Sequence, residues 1–164
     1  MTDPQIKISS DTSVTIVFGD EISETVNTRI RAFDEALSAE HLAGIVETVP
    51  TYCALTVHYA PETIRYGELH QKLEALLAVS HKARKIQTVV MEIPVLYGGE
   101  CGPDLEYVAQ YNHLTPEEVI CLHTKAEYLI YMLGFTPGFS YMGGMDEKIL
   151  AAEECGIKAF VIRS

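Results

Sequence analysis

Apolar and polar positions alternate from Val14 to Phe18, with Val14, Ile16 and Phe18 on one side, the two-residue period of a half-buried strand. Gly19-Asp20 ends that run. Val26, Ile30, Phe33 and Leu37 then recur at i, i+4, i+7 and i+11, one apolar stripe of a helix. Ser23 is placed to cap its start and Gly44 to stop it. Two short runs follow, Ile45–Val49 and Cys53–Tyr59, with bends at Pro50 and Pro61. In the second, Cys53, Leu55, Val57 and Tyr59 face one way and Ala54, Thr56 and His58 the other. Leu69, Leu73 and Leu76 or Leu77 predict a helix from about Tyr66 to His81. Lys82, Arg84 and Lys85 lie at its end, where cations suit the helix dipole. Val89, Met91 and Ile93 alternate again. The order over residues 1–90 is β-α-β-β-α-β, the split βαβ pattern of a ferredoxin-like sandwich. It places Ile30, Phe33, Leu55, Val57, Leu73 and Val89 in one core.

From Ile93-Pro94 onward the pattern changes, which sets the expected domain division at 1–90 and 91–164. Gly98, Gly99, Gly102 and Pro103 make a turn-rich segment, and Asp104 is placed to cap a short helix running through Asn112. Thr115-Pro116-Glu117-Glu118 is a strong helix start, with Thr as N-cap, Pro at the first helical position and a Glu that closes a capping box. Tyr128–Leu133 reads as a strand. The next 11 residues, Gly134 to Gly144, hold four Gly, one Pro and three aromatics. Within them Thr136-Pro137-Gly138-Phe139 fits a type II turn, because Pro sets φ at its second position and Gly accepts positive φ at its third.

Composition narrows the function classes. With 164 residues and 48% apolar residues, the chain can bury a real core, which excludes disorder and collagen-like repeats. Its formal charge of −11 repels phosphate backbones and anionic lipids, so nucleic acid and membrane are not expected as partners. Residues 1–90 carry 8 basic and 12 acidic side chains and residues 91–164 carry 4 and 11, so long-range attraction does not gather a bare anion in the second half. No apolar stretch reaches the length of a spanning helix, and Met1–Ser10 lacks the pattern of a secretory signal. The expectation is a cytoplasmic protein in which Cys53, Cys101, Cys121 and Cys155 are free thiols.

Two features are candidates for chemistry. A stiff loop carrying Phe135, Phe139 and Tyr141 would form an apolar wall whose backbone can approach a ligand; a tight corner with its aromatics packed into the core satisfies the same pattern. His123, near the end of the capped helix, could donate a hydrogen bond or act as acid or base, although a histidine there also simply suits the helix dipole. The other histidines (41, 58, 70, 81 and 113) show no HxH or HxxxH pairing, so no metal site is expected. Cys101 has the acidic neighbours Glu100, Asp104 and Glu106 and no basic one, which argues against a nucleophile. The chain lacks GxxxxGK[ST], GxGxxG after a strand, and GxSxG. By motif alone it is not a self-contained enzyme.

The run Ile93-Pro-Val-Leu-Tyr-Gly-Gly-Glu-Cys-Gly-Pro-Asp-Leu-Glu-Tyr-Val-Ala109 resembles a signature of the family of 5-oxoprolinase B subunits. That family includes Kip-type inhibitors of a sporulation histidine kinase and allophanate hydrolase subunit 1. A second signature is similar as well, His123-Thr124 with Tyr128 and Tyr131-Met-Leu-Gly-Phe-Thr-Pro-Gly-Phe-Ser-Tyr-Met-Gly-Gly144. So is Gly44-Ile-Val-Glu-Thr-Val-Pro-Thr-Tyr52 upstream. The resemblance covers residues from about 10 to 148. It implies a ferredoxin-like domain followed by a cyclophilin-like β-barrel domain, hence the α+β class. It also implies a sister C subunit, forming a carboxyltransferase-like pair that joins a third lactam-hydrolase subunit in ATP-dependent opening of 5-oxo-L-proline to L-glutamate. ATP belongs to that assembled complex; no cofactor motif is evident in this chain. By position, His123, Tyr128, Phe135, Pro137, Gly138, Phe139 and Tyr141 would line a ligand groove, with His123 hydrogen bonding to a carbonyl or carboxylate. The alternatives that share these signatures are a Kip-type inhibitor binding a histidine kinase and allophanate hydrolase subunit 1. Ile149–Ser164 matches nothing in the family's second barrel half, so the second domain is expected to be incomplete relative to the family and the chain inactive alone.

Overall fold

The computed structural model describes residues 3–80 and 89–150. The chain is mixed α+β and divides into two compact units, residues 1–88 and 89–164. In the first, Gln5–Ser10 (β1), Ser13–Val17 (β2), Glu24–Ala39 (α1), Ile45–Pro50 (β3), Ala54–Tyr59 (β4) and Tyr66–Ser80 (α2) follow in order. The strands form one antiparallel sheet, ordered β1-β2-β4-β3. Val14 lies opposite Val57 and Ile16 opposite Leu55, so the apolar alternation of both strands falls on one face. Ile30, Phe33 and Leu37 of α1 and Leu69, Leu73 and Leu77 of α2 close over that face, with Phe18, Tyr59 and Ile64 completing the core. Fully burying each such side chain stabilises the fold by roughly 1.5–3 kcal/mol. The other face is polar: Ser9 Oγ and Thr15 Oγ1 are 2.7 Å apart, and Thr15 Oγ1 and Thr56 Oγ1 3.1 Å apart, a row of hydroxyls crossing three strands.

Local signals explain the helix starts. Ser23 has extended backbone, and its Oγ accepts from the Val26 amide at 3.2 Å. The end of α1 differs from the expectation. The helix stops at Ala39, well before Gly44, and His41 takes the left-handed turn at φ 48°. Gly44 serves a different purpose. Its φ is +95°, and a Cβ there would lie 2.6 Å from Cγ2 of Ile64, so the absent side chain lets a buried isoleucine close the core against the backbone.

The order of elements in the first unit is β-β-α-β-β-α, a correction to the expected β-α-β-β-α-β. Val89–Ile93 is not strand, and Val89 is 83% exposed instead of sharing the core. The reason lies in β2, whose two edges are already paired with β1 and β4. The place beside β2 that a late strand would take is therefore filled by the amino-terminal one. The Lys82, Arg84 and Lys85 cluster lies outside the described residues.

The second unit contains Leu105–Tyr111 (α3), Pro116–Lys125 (α4), Leu129–Leu133 (β5), Ser140–Gly143 (β6) and a 3-10 turn at Glu147–Ile149. Leu105, Val108, Ala109, Val119 and Ile149 form its core, with Tyr97, Leu114, Ile120 and Leu122 packed against it. The capping box forms as the sequence predicts: the Glu118 amide donates to Thr115 Oγ1 at 3.2 Å, and the Thr115 amide donates to Glu118 Oε2 at 2.8 Å. Asp104 stands at the N-cap of α3, but its side chain makes no capping bond among the described residues. β5 and β6 form a two-stranded antiparallel sheet.

The closed core of the first unit predicts that a fragment of residues 1–90 unfolds in one cooperative thermal transition, followed by circular dichroism. Phe33→Ala in that fragment is expected to lower its stability by about 3–5 kcal/mol, read by chemical denaturation. A fragment with no cooperative transition would contradict the assignment.

Candidate functional site

The turn after Tyr97 places the first side chain of the site. Gly98 and Gly99 adopt φ of 75° and 55°, and the Gly102 amide donates back to the Gly98 carbonyl at 3.1 Å. A Cβ on Gly102 would sit 2.7 Å from the Gly98 nitrogen, so only glycine fits at this closure. The chain then enters α3, and Tyr97 is held half-buried against the core of the unit.

His123 comes from the last turn of α4, whose Val119 is buried in the same core. Tyr97 Oη and His123 Nδ1 are 2.5 Å apart, and the two rings meet edge-on with centroids 5.7 Å apart. The helix breaks at Ala126, which is extended. Tyr128 consequently folds back, and its hydroxyl donates to the His123 carbonyl at 3.0 Å. Its ring lies 5.3 Å from the imidazole, tilted by 42°. Two tyrosines from separate segments thus flank one imidazole.

The cluster is electrically neutral near pH 7. Burial holds the His123 pKa below its ordinary 6.5 and pushes the Tyr97 hydroxyl above 10.0. Tyr128 is raised too, first by burial and then by Tyr97 and Asp146. Asp146 is itself fixed by the Lys148 amide, which donates to Oδ1 at 2.9 Å. A neutral imidazole donates from one ring nitrogen and accepts at the other, so the cluster can recognise an uncharged carbonyl or shuttle a proton.

A second aromatic group sits on the β5–β6 hairpin. The Phe139 amide donates to the Thr136 carbonyl at 2.9 Å and Gly138 has φ 80°, the type II turn expected from Thr-Pro-Gly-Phe. The Gly134 amide donates to the Phe139 carbonyl at 2.9 Å, and the Phe139 ring packs so closely that a Cβ on Gly134 would meet it at 2.6 Å. Phe139 and Tyr141 meet edge-on with centroids 5.2 Å apart. The residues picked out from the sequence therefore fall into three places. His123 and Tyr128 join Tyr97; Phe139 and Tyr141 pair on the hairpin; Pro137, Gly138 and the 96%-exposed Phe135 occupy its exposed tip. Tyr97 is absent from the sequence-derived set. Its signal lies in Leu-Tyr-Gly-Gly, where a tight turn directly follows an aromatic residue, but the partner is 26 residues away. Among the described residues Cys101 and Cys121 are exposed and Cys53 is half-buried, with no disulfide joining them, and Cys155 lies outside the described residues.

Residues 4–153 match the carboxyltransferase domain, subdomain C and D. The chain belongs to this family. The B subunit of 5-oxoprolinase from Bacillus subtilis is 40% identical over 157 residues, covering 90% of this chain and 65% of that protein. The corresponding B subunit from Haemophilus influenzae is 41% identical over 118 residues, or 72% of this chain and 54% of that one. The crystal structure of TTHA0988 superposes with a TM-score of 0.72 at 36% identity, over 84% of this chain and 26% of that chain. This carboxyltransferase-family chain spans about half to two thirds of the length of the curated relatives it matches.

Gly138 has open space around its Cβ position, so its demand is purely one of backbone conformation. Gly138→Val is expected to cost the second unit about 1–2 kcal/mol in chemical denaturation while leaving the first unit unchanged. His123 gives a pH signature. Because its folded pKa is depressed, its contribution to stability is complete above pH 6.5 and is lost as pH falls below that value, where the unfolded chain takes up the proton first. His123→Gln should remove that part of the acid-side decline, measured as thermal midpoint against pH.

Proposed function

We propose that this chain supplies the B-subunit part of a lactam hydrolase of 5-oxoprolinase type. In this reading it works with a sister C subunit and a third subunit in the ATP-dependent opening of 5-oxo-L-proline to L-glutamate. The observation that carries it is the neutral Tyr97–His123–Tyr128 cluster, in a chain 40% identical over 157 residues to a B subunit of 5-oxoprolinase. A lactam offers an uncharged carbonyl oxygen for His123, and Phe139 and Tyr141 offer apolar cover for the ring methylenes. ATP enters at the level of the assembled complex, because the sequence carries no phosphate-cradling motif. The reading includes a cytoplasmic setting. It treats the first unit as a ferredoxin-like sandwich with β1 on the edge beside β2, and the second as part of a cyclophilin-like β-barrel.

Turnover of 5-oxoproline by the complex reconstituted from this chain, the C subunit and the third subunit tests this directly. His123→Ala is expected to lower kcat/KM by about 100-fold or more while the three proteins still co-purify; Phe139→Ala is expected to weaken capture of the C subunit or of the lactam more than it lowers the thermal midpoint. The chain alone, with or without ATP, is expected to show no turnover. A His123→Ala complex with full activity would refute the role given to the imidazole.

A further inference from the structure

The contact between Tyr97 and His123 allows two proton arrangements: the phenol donates to Nδ1, or Nδ1–H donates to the phenol oxygen. The surroundings choose between them. Tyr97 makes no hydrogen bond among the described residues other than the one to His123. If the imidazole were the donor, the half-buried phenolic hydrogen would have no protein acceptor among those residues and would depend on water alone. If the phenol is the donor, one bond satisfies both its hydrogen and the Nδ1 lone pair. Tyr128 does not compete for that lone pair, because its hydroxyl is directed at the His123 backbone carbonyl. Asp146 acts on Tyr128. Burial further disfavours both phenolate and imidazolium, so the pair is a neutral phenol against a neutral imidazole.

We infer that Tyr97 is a positioning residue that fixes His123 as the Nε2–H tautomer, by donating its hydroxyl hydrogen to Nδ1. Whatever meets the other ring nitrogen, protein or ligand, then meets an N–H donor and not a base. The two flanking tyrosine rings, edge-on and tilted at 5.7 and 5.3 Å, hold the imidazole plane in place. The inference goes beyond the hydrolase reading and concerns the free chain, so it stands or falls separately from it.

Long-range 1H–15N correlation spectra of the full chain, labelled at histidine and recorded without ligand above pH 7, read the tautomer directly. Wild-type His123 should show a protonated Nε2 and an unprotonated Nδ1. Tyr97→Phe keeps the ring and removes the donor, and should raise the share of the Nδ1–H form at least threefold. Tyr128→Phe, which loses only the bond to the backbone carbonyl, should leave the wild-type pattern. A dominant Nδ1–H form in the wild type would overturn the inference, and so would a folded Tyr97→Phe with an unchanged tautomer ratio. Should Tyr97→Phe fail to fold, the wild-type Nδ1 shift decides: an unprotonated nitrogen that accepts the Tyr97 hydrogen is displaced from the shift of a free imidazole nitrogen, and an undisplaced one overturns the inference. Because these spectra need neither substrate nor sister proteins, an inactive reconstituted complex would leave their result untouched.

Discussion

Strand β2 is paired along both edges, with β1 on one side and β4 on the other, and the packing of the first unit follows from that double pairing. Its register sets Val14 against Val57 and Ile16 against Leu55. A slip of β2 by one residue would turn Val14 and Ile16 to the hydroxyl-bearing face and bring Thr15 into the core. Both helices pack on the apolar face so defined, and the irregularities in pairing are confined to the outer strands, at Ile8/Ser10 and Ile45/Glu47. Edges tolerate such bulges because they have no further neighbour to keep in register.

The second unit rests on a smaller core and on local devices. α3 has 7 residues and α4 has 10, lengths at which an isolated helix is marginal in water. The Thr115–Glu118 capping box and the glycine closure between Gly98 and Gly102 therefore matter in proportion. A cap of this kind contributes about 0.5–2 kcal/mol. With the closure in place, Tyr97 reaches the last turn of α4, where the imidazole stands. Burying three polar groups there would be unfavourable singly; the Tyr97 bond to Nδ1 and the Tyr128 bond to the backbone carbonyl offset that cost.

The two aromatic groups of the second unit differ in kind. The Tyr97, His123 and Tyr128 group carries hydrogen-bonding atoms and perturbed protonation equilibria. The Phe139 and Tyr141 group carries mainly apolar area, beside a turn whose Phe135 is exposed to solvent. The first suits orientation of a polar ligand atom, and the second suits cover. Both lie within the stretch matched by the carboxyltransferase domain family, residues 4–153.

Much of this is written locally in the chain. The α1 stripe, the Ser23 cap, the β4 alternation, the capping box and the type II turn at Pro137-Gly138 all follow from residues within about four positions of one another. The backbone geometry of helix, strand and turn couples those positions directly. What the sequence alone determined is therefore α1 to α4, strands β2 to β5, the caps at Ser23 and Thr115 and the turn at Pro137-Gly138, whereas β1 and β6 were not legible in it and the strand it predicted at Val89–Ile93 does not form. The tertiary structure alone decided that β1 fills the edge beside β2, that Val89 lies outside the core, that Asp104 leaves its cap unused, that Gly44 admits Ile64, and that Tyr97 is the residue that meets His123. Each of these depends on which surface remains unpaired after other elements have packed, and no short-range period along the chain records that.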